Sequence, residues 1–379
     1  CLQIPKNILW EKSNVTIMNA RENYLRAVEF ENPEWIPCNI SFDPVLWHTY
    51  REKLEEIILN YPSLFGEYKK GSVNFDDFGI RCKGNIITDE WGCVWRFLVN
   101  GNQGQVIKHP LENWETLKTY KPPDPIKLNI LPVEGMPLLP NSFDSARKRV
   151  EEAKIKGSLA IGNCSHGFMF QPLYYLRGFK NLMIDFVTEP PELKKLIAIV
   201  LEYNIKVVKR WLDVGVDVLY FGDDLGTQDR LTINPKTFRK YILPAYSKIF
   251  GLARKNDVHV YFHSDGHIME ISEDLINAGV SILNLQDLVN GVDKIEKKLK
   301  GKVCIDIDID RQRILPFGKP QDIKEHVKKV VSTLNSPNGG FMIQVYPCSP
   351  TPLKNIEALC QALEEVGAGI KDENMGIRW

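Results

Sequence analysis

Between Asp217 and Gly266 two apolar runs end abruptly in polar residues, and a helical pattern lies between them. Val218-Leu219-Tyr220-Phe221 runs into Gly222-Asp223-Asp224-Leu225-Gly226, and Val258-His259-Val260-Tyr261-Phe262 runs into His263-Ser264-Asp265-Gly266. Asn234 or Pro235 opens the intervening helix, which the pattern carries through Leu252. The unit is therefore strand, helix, strand, with acids and a histidine where each strand stops. In parallel α/β folds the carboxyl ends of the strands carry the chemistry, so function is expected here.

The rest of the chain repeats the alternation. Asn19 is placed to cap a helix over residues 20–28, with Glu22 at the capping-box position. Strands are expected at 35–42, 73–75, 158–161, 281–285, 303–307 and 341–345, making eight with the two above. Helices are expected over 45–59, 144–156, 171–177, 179–186, 191–214, 268–277, 293–300, 320–333 and 355–364. Residues 84–108 read as an inserted hairpin carrying Trp91 and Trp95, and residues 110–140, with seven prolines, as a long surface excursion. The expected fold is an α/β protein, a (β/α)8 TIM barrel, with that hairpin and excursion in its N-terminal third. A doubly wound sheet is the alternative, but no glycine-rich phosphate turn follows an early strand. Met18-Asn19-Ala20-Arg21 resembles a natural start, so residues 1–17 are read as an extension and 18–379 as one barrel domain.

Composition narrows the function. Lys+Arg and Asp+Glu number 48 each, a balance that argues against nucleic acid as the main partner. No apolar run approaches the roughly eighteen residues of a membrane span. The eight cysteines are scattered rather than arranged as a disulfide framework, which points to a reducing, cytoplasmic setting.

The strand ends supply the candidate site. His263 offers an imidazole for metal binding or proton transfer, and Asp265 lies two residues on, toward the same side. Cys348, after the last strand, is a third candidate, and His263, Asp265 and Cys348 would make three ligands of zinc with a fourth place open. A rim histidine satisfied by carbonyls and a buried structural cysteine are the plain alternatives. Of Asp223 and Asp224 at most one should face the cavity, the other capping a helix or pairing with an arginine. Asn163, His166, Gln286, Asp308 and Tyr346 mark other strand ends, and Trp91 and Trp95 are placed to cover a substrate or simply to pack the hairpin. P-loop and His-Glu-x-x-His motifs are missing.

Leu173-Tyr174-Tyr175-Leu176-Arg177-Gly178, Gly222 to Gln228, Phe262 to Gly266 and Thr351 to Ile356 together resemble the uroporphyrinogen decarboxylase superfamily, over nearly everything from Asn19 to Gly367. True decarboxylases of that group carry an Arg-Gln-Ala-Gly-Arg run near the N-terminus; here Arg26-Ala27-Val28-Glu29-Phe30 stands instead, without the guanidinium forks a polycarboxylate substrate needs. The resemblance is therefore closer to the cobamide-dependent methyltransferases. It implies transfer of a methyl group from a small methylated substrate, of methoxylated-aromatic or methylamine type, to the Co(I) of a corrinoid partner protein. It also implies zinc at His263 and Cys348, with Asp265 where the family has a cysteine. A carboxylate there makes a harder site, better matched to oxygen than to a thiol. Asp223 and His263 would be the catalytic groups, and Asn163, Asp224, Gln286, Tyr346, Trp91 and Trp95 would position substrate. A homodimer is compatible with all of this. A metal-free decarboxylase or lyase using Asp223 on a smaller acid, and a non-catalytic binding barrel, remain the other two readings.

Overall fold

A computed structural model describes residues 18–369 apart from 128–129 and 134–135; the side chains of 130–133 and 136–142 are likewise left undescribed. Residues 1–17, read above as an extension, lie outside it. Eight parallel strands form one sheet: β1 (Ile36–Ile40), β2 (Ile161–His166), β3 (Val218–Gly222), β4 (His259–Ser264), β5 (Ile282–Gln286), β6 (Cys304–Asp308), β7 (Phe341–Val345) and β8 (Ala368–Gly369). Their spatial order is β8-β1-β7-β6-β5-β4-β3-β2, and helices fill the connections from β2 onward. This is the α/β barrel type expected from the alternation; among the described residues no ladder joins β2 to β8.

Side chains alternate across each strand, so one set faces the helices and the other the interior. Leu219, Phe221, Val260, Phe262, Leu283, Ile305, Ile343 and Val345 belong to the outer core under the helices, each buried. Burial of such a side chain contributes roughly 1.5–3 kcal/mol, and this shell holds the barrel together. The inward set is different. Val218, Tyr261, Ile282, Cys304 and Met342 close the floor, with Tyr24 from the first helix plugging it. Above them come Asn39, Asn163, His263, Asn284, Asp306 and Gln344, a polar layer that an interior meant only for packing would not contain.

Local signals account for the helix starts. The Asn19 side chain accepts from the Glu22 amide at 2.8 Å and opens Ala20–Glu29. Asn234 does the same for Thr237 at 2.9 Å, with Pro235 in the first turn of a helix that passes through a π-turn at Phe238–Ile242 and ends at Arg254. Pro191–Val214 is found as expected. The inserted segment is a three-stranded antiparallel sheet of Ile86–Thr88, Val94–Arg96 and Gln105–Lys108. The excursion after it holds a 3-10 turn, Trp114–Lys118, and a hairpin of Ile130–Val133 with Met136–Ser142.

Three expectations need correction. Residues 73–75 are not a strand: Phe75 stacks on Trp47, and the Asn74 side chain takes the Asp76 amide at 3.2 Å, a local turn that competes with any ladder. Ala368–Gly369 pairs with β1 instead, completing the eight. The strand expected at 158–161 begins at Ile161 and continues through polar residues to His166, because the Asp217 carboxylate takes the Ala160 amide at 2.9 Å and ladder pairing starts only beyond it. The helix expected over 45–59 is two, Pro44–Tyr50 and Glu52–Asn60, broken at Arg51 with φ of 49°.

Candidate active site

One level of the sheet carries the site. His166, Gly222, His263, Asn284, Asp306 and Met342 follow one another in register across β2 to β7. Gly222 stands between the two histidines and has no side chain, so the imidazoles approach to 5.4 Å between ring centroids. A Cβ on Gly222 would lie 2.5 Å from Nδ1 of His166, which is why the position requires glycine.

The loops after β3 and β4 then bring in the acid. They cross with backbones in contact: a Cβ on Gly266 would meet the carbonyl carbon of Gly226 at 2.2 Å, and one on Gly226 would meet the His267 nitrogen at 2.4 Å. The Asp223 amide donates to the His263 carbonyl at 3.0 Å, and the Leu225 amide donates to Ser264 Oγ at 3.0 Å. Asp224 is thereby held over the imidazoles. Its Oδ2 lies 3.0 Å from His166 Nε2, its Oδ1 3.9 Å from His263 Nε2, and the Asp265 amide donates to Oδ1 at 3.1 Å. Among the described residues, the group of His, Cys, Asp and Glu able to hold a metal is His166, Asp224 and His263, with ligand atoms all within 4.8 Å of one another.

Electrostatics follow from the geometry. Burial opposes a charge on His166, but the Asp224 carboxylate outweighs it and lifts the imidazole to about 9. Burial also opposes ionisation of Asp224, and His166 and His263 together hold it well below the usual carboxylate range. Asn284 donates through Nδ2 to the Asp306 carbonyl at 2.8 Å, so its Oδ1 accepts from His263 Nδ1 and leaves Nε2 facing the cluster.

The expected site residues divide. Asp224 is the acid that faces the interior, whereas Asp223 is fully buried and points away. Its carboxylate accepts from the amides of Met169, Phe170 and Gln171 and from the Tyr246 hydroxyl at 2.8 Å, tying the start of helix Phe170–Arg177 to β3. Burial raises it to about 6, and no acceptor capacity is left for a substrate. Asp265 lies 3.5 Å from His263 Nε2, but its Oδ1 is paired with Arg311 Nη2. Cys348 is outside the ligand group: its thiol contacts the Tyr346 carbonyl at 3.4 Å, and burial lifts it to about 12 against the pull of Arg311. Gln286 is buried, its Oε1 taking the Gly266 amide at 2.9 Å to hold the turn after β4. Asn163 is half-buried in β2, and Tyr346 is half-buried beneath Arg311. Trp95 is a core residue whose indole donates to Asp89 at 2.8 Å; Trp91 is half-buried against Tyr203, ring centroids 4.7 Å apart.

Asn284 and Arg311 escaped the sequence reading, and His166 was ranked only among many strand ends. An asparagine inside the leucine-rich run 281–285 is the signal that could have pointed to Asn284, since a polar residue in a buried strand needs a reason. Nothing local marks Arg311.

The fold and site define a β/α barrel with a histidine–carboxylate cluster at the carboxyl ends of neighbouring strands. The chain belongs to the uroporphyrinogen decarboxylase (URO-D) family, whose sequence profile matches residues 73–366. Among solved structures it is similar in fold to a methyltransferase from Methanosarcina mazei, at 17% identity and a TM-score of 0.60, over 92% of this chain and 99% of that one. Weaker likenesses are to D-psicose 3-epimerase from Clostridium cellulolyticum H10 (10% identity, TM-score 0.35, 60% of this chain and 83% of that one) and to a B12-independent methionine synthase from Shewanella sp. W3-18-1 (11%, 0.31, 59% and 65%). No curated protein matches the sequence significantly. No helix among the described residues is long and apolar enough to cross a membrane.

Proposed function

We propose that this protein is a methyltransferase that moves a methyl group from a small methylated oxygen or nitrogen compound to the Co(I) of a separate corrinoid protein. Family membership and the likeness in fold to a methyltransferase support the reading. The observation that carries it is the convergence of His166 Nε2, Asp224 and His263 Nε2 within 4.8 Å. Two imidazoles and a carboxylate suit zinc and leave a place for substrate. The residues fit such an ion: Asn284 takes Nδ1 of His263, as a partner of a metal-bound imidazole commonly does, so Nε2 is free to coordinate. Zinc held there would supply Lewis acidity toward the substrate heteroatom, easing departure of the demethylated product.

The other residues orient and insulate. Gln171 Nε2, 3.4 Å from Asp224 Oδ2, and the Asp265 amide fix the carboxylate from both sides. Arg311 neutralises Asp265 and keeps a second negative charge from the cluster. Asn39 donates to Gln344 at 2.9 Å on adjacent inward rows, and with Asn163 these amides are placed to orient a small substrate in the barrel. The acid role expected of Asp223 passes to Asp224 in this proposal, and the metal site moves from Asp265 and Cys348 to Asp224 and His166.

One observation favours a second reading. Without metal, His166 is cationic at neutral pH beside Asp224, a pair able to hold a substrate carboxylate and then deliver the Nε2 proton to the carbon that CO2 leaves. That would be a decarboxylase acting on a smaller acid. The test is metal content together with Co(I) methylation, for wild type and His263→Ala. About one zinc per chain, lost in the variant along with methyl transfer from methoxylated aromatics or methylamines, supports the first reading. Protein that takes up no zinc when it is supplied overturns it, and CO2 release insensitive to chelator would establish the second.

A further inference from the structure

A cleft beside the histidine cluster lies between the inserted sheet, the carboxyl end of β2 and helix Pro191–Val214. Its wall includes Glu90, Trp91, Ser165, Phe168, Tyr175 and Tyr203. Two buried polar atoms on this wall have no hydrogen-bond partner among the described residues: Oε2 of Glu90 and the hydroxyl of Tyr203. Tyr203 is only 7% exposed. Buried polar groups in folded proteins are nearly always paired, so two orphans on one cavity wall point to something that completes them.

The neighbouring acid sharpens the point. Asp89 is fully used: its carboxylate accepts from the amides of Trp91 and Cys93 and from the Trp95 indole, which builds the inserted sheet. Glu90 has no such structural duty. No lysine, arginine or histidine is on the described wall to neutralise it. Aromatic rings stand beside it, Trp91 and Tyr203 at 4.7 Å between centroids. A carboxylate next to aromatic faces, with no resident cation, is the chemistry that recognises an organic cation: the carboxylate balances the charge and the rings attract it through their quadrupoles.

We propose that this cleft binds a small methylated ammonium ion, with Glu90 as its counter-charge and Trp91 and Tyr203 as its aromatic wall. The charge of the ion faces the Glu90 carboxyl, and its methyl groups lie against the rings. Burial lifts the Glu90 carboxyl to about 7, and a cation beside it would favour its charged form. The cleft is also tied to the histidine cluster. The Tyr175 hydroxyl accepts from Gln171 Nε2 at 3.0 Å, and the same nitrogen lies 3.4 Å from Asp224 Oδ2. Such binding is independent of whether the protein transfers methyl groups.

The test is calorimetric titration of the full chain with trimethylammonium chloride and with tert-butanol, which has similar shape and one donor but no charge. Trimethylammonium is expected to bind once per chain and at least about tenfold more tightly than tert-butanol. Glu90→Gln should weaken trimethylammonium about tenfold and leave tert-butanol unchanged, and Tyr203→Phe should weaken it by about threefold, circular dichroism confirming that both variants fold. The proposal is overturned if wild type binds the two probes equally or binds neither, a comparison that needs no variant. Undiminished trimethylammonium binding by folded Glu90→Gln would overturn it as well.

Discussion

Two halves of one barrel mouth place acids against different cations. On the β2–β4 side Asp224 faces the imidazoles of His166 and His263; on the β6–β7 side Asp265 and Asp308 share the guanidinium of Arg311, with Asp308 Oδ2 at 3.5 Å from Nε. The carboxylates are the same chemically, and their partners decide what each half can do. An imidazole can give up its proton and offer a lone pair to a metal, whereas a guanidinium has no lone pair to offer and stays charged. The first half is therefore open to exchange of its cation and the second is closed. The presence of Cys348 near the closed half does not change this, since its buried thiol holds its proton strongly.

The largest effects should separate the halves outright. On the proposed function, Asp224→Ala should abolish zinc uptake and reduce methyl transfer by about 10³-fold, while Cys348→Ser should still take up zinc and stay within about threefold of wild type. Mass-spectrometric metal content and the Co(I) assay check both, and metal loss in Cys348→Ser with retention in Asp224→Ala would reverse the comparison. Next in size are changes that touch only the support of the ligands. Asn284→Leu leaves His263 Nδ1 without its acceptor, and Gly222→Ala forces the His166 ring aside; each should weaken zinc by about 10–100-fold in competition with a chelating dye while leaving the fold intact. Equal affinity in wild type and Gly222→Ala would mean His166 is not a ligand.

On the closed half the effects are on stability. Arg311→Met leaves Asp265 without its cation and removes the neighbour of Asp308, whose buried carboxyl is raised to about 8, and should cost about 1 kcal/mol in urea unfolding, with zinc uptake retained. Loss of zinc with unchanged stability would show that the arginine serves the metal site instead. A further effect on stability is a pH dependence. Burial raises the folded carboxyl of Asp306 to about 7, against about 3.9 in the unfolded chain, so its protonated form is favoured on folding. That contribution is present below about pH 4 and is lost as pH rises through about 7. Asp306→Asn cannot ionise, so its thermal midpoint should gain on that of wild type between pH 4 and 8. A constant gap across that range would place the Asp306 carboxyl outside the titrating groups.

Much of this molecule is legible without coordinates because its signals are local. Asn19 and Asn234-Pro235 start helices through side chains that reach amides three residues on, and the apolar runs at 218–221, 258–262 and 341–345 become strands because both of their faces are covered. The family resemblance drew on such stretches, and His263 at a strand end was found on the same grounds. What the tertiary structure alone decided concerns partners distant in the chain. Adjacency places Asp223 and Asp224 on opposite sides, but only packing says which side is the interior: helix Phe170–Arg177 claims the first with its amides, and the crossing of Gly226 over Gly266 turns the second toward the histidines. His166 joins His263 because strand register puts Gly222 between them, and Asp265 is lost to the cluster because Arg311, in a turn after another strand, reaches it first. Spacing along a chain sets periodicity and caps, whereas the meeting of side chains from different strands depends on register and loop crossing, which no short stretch encodes.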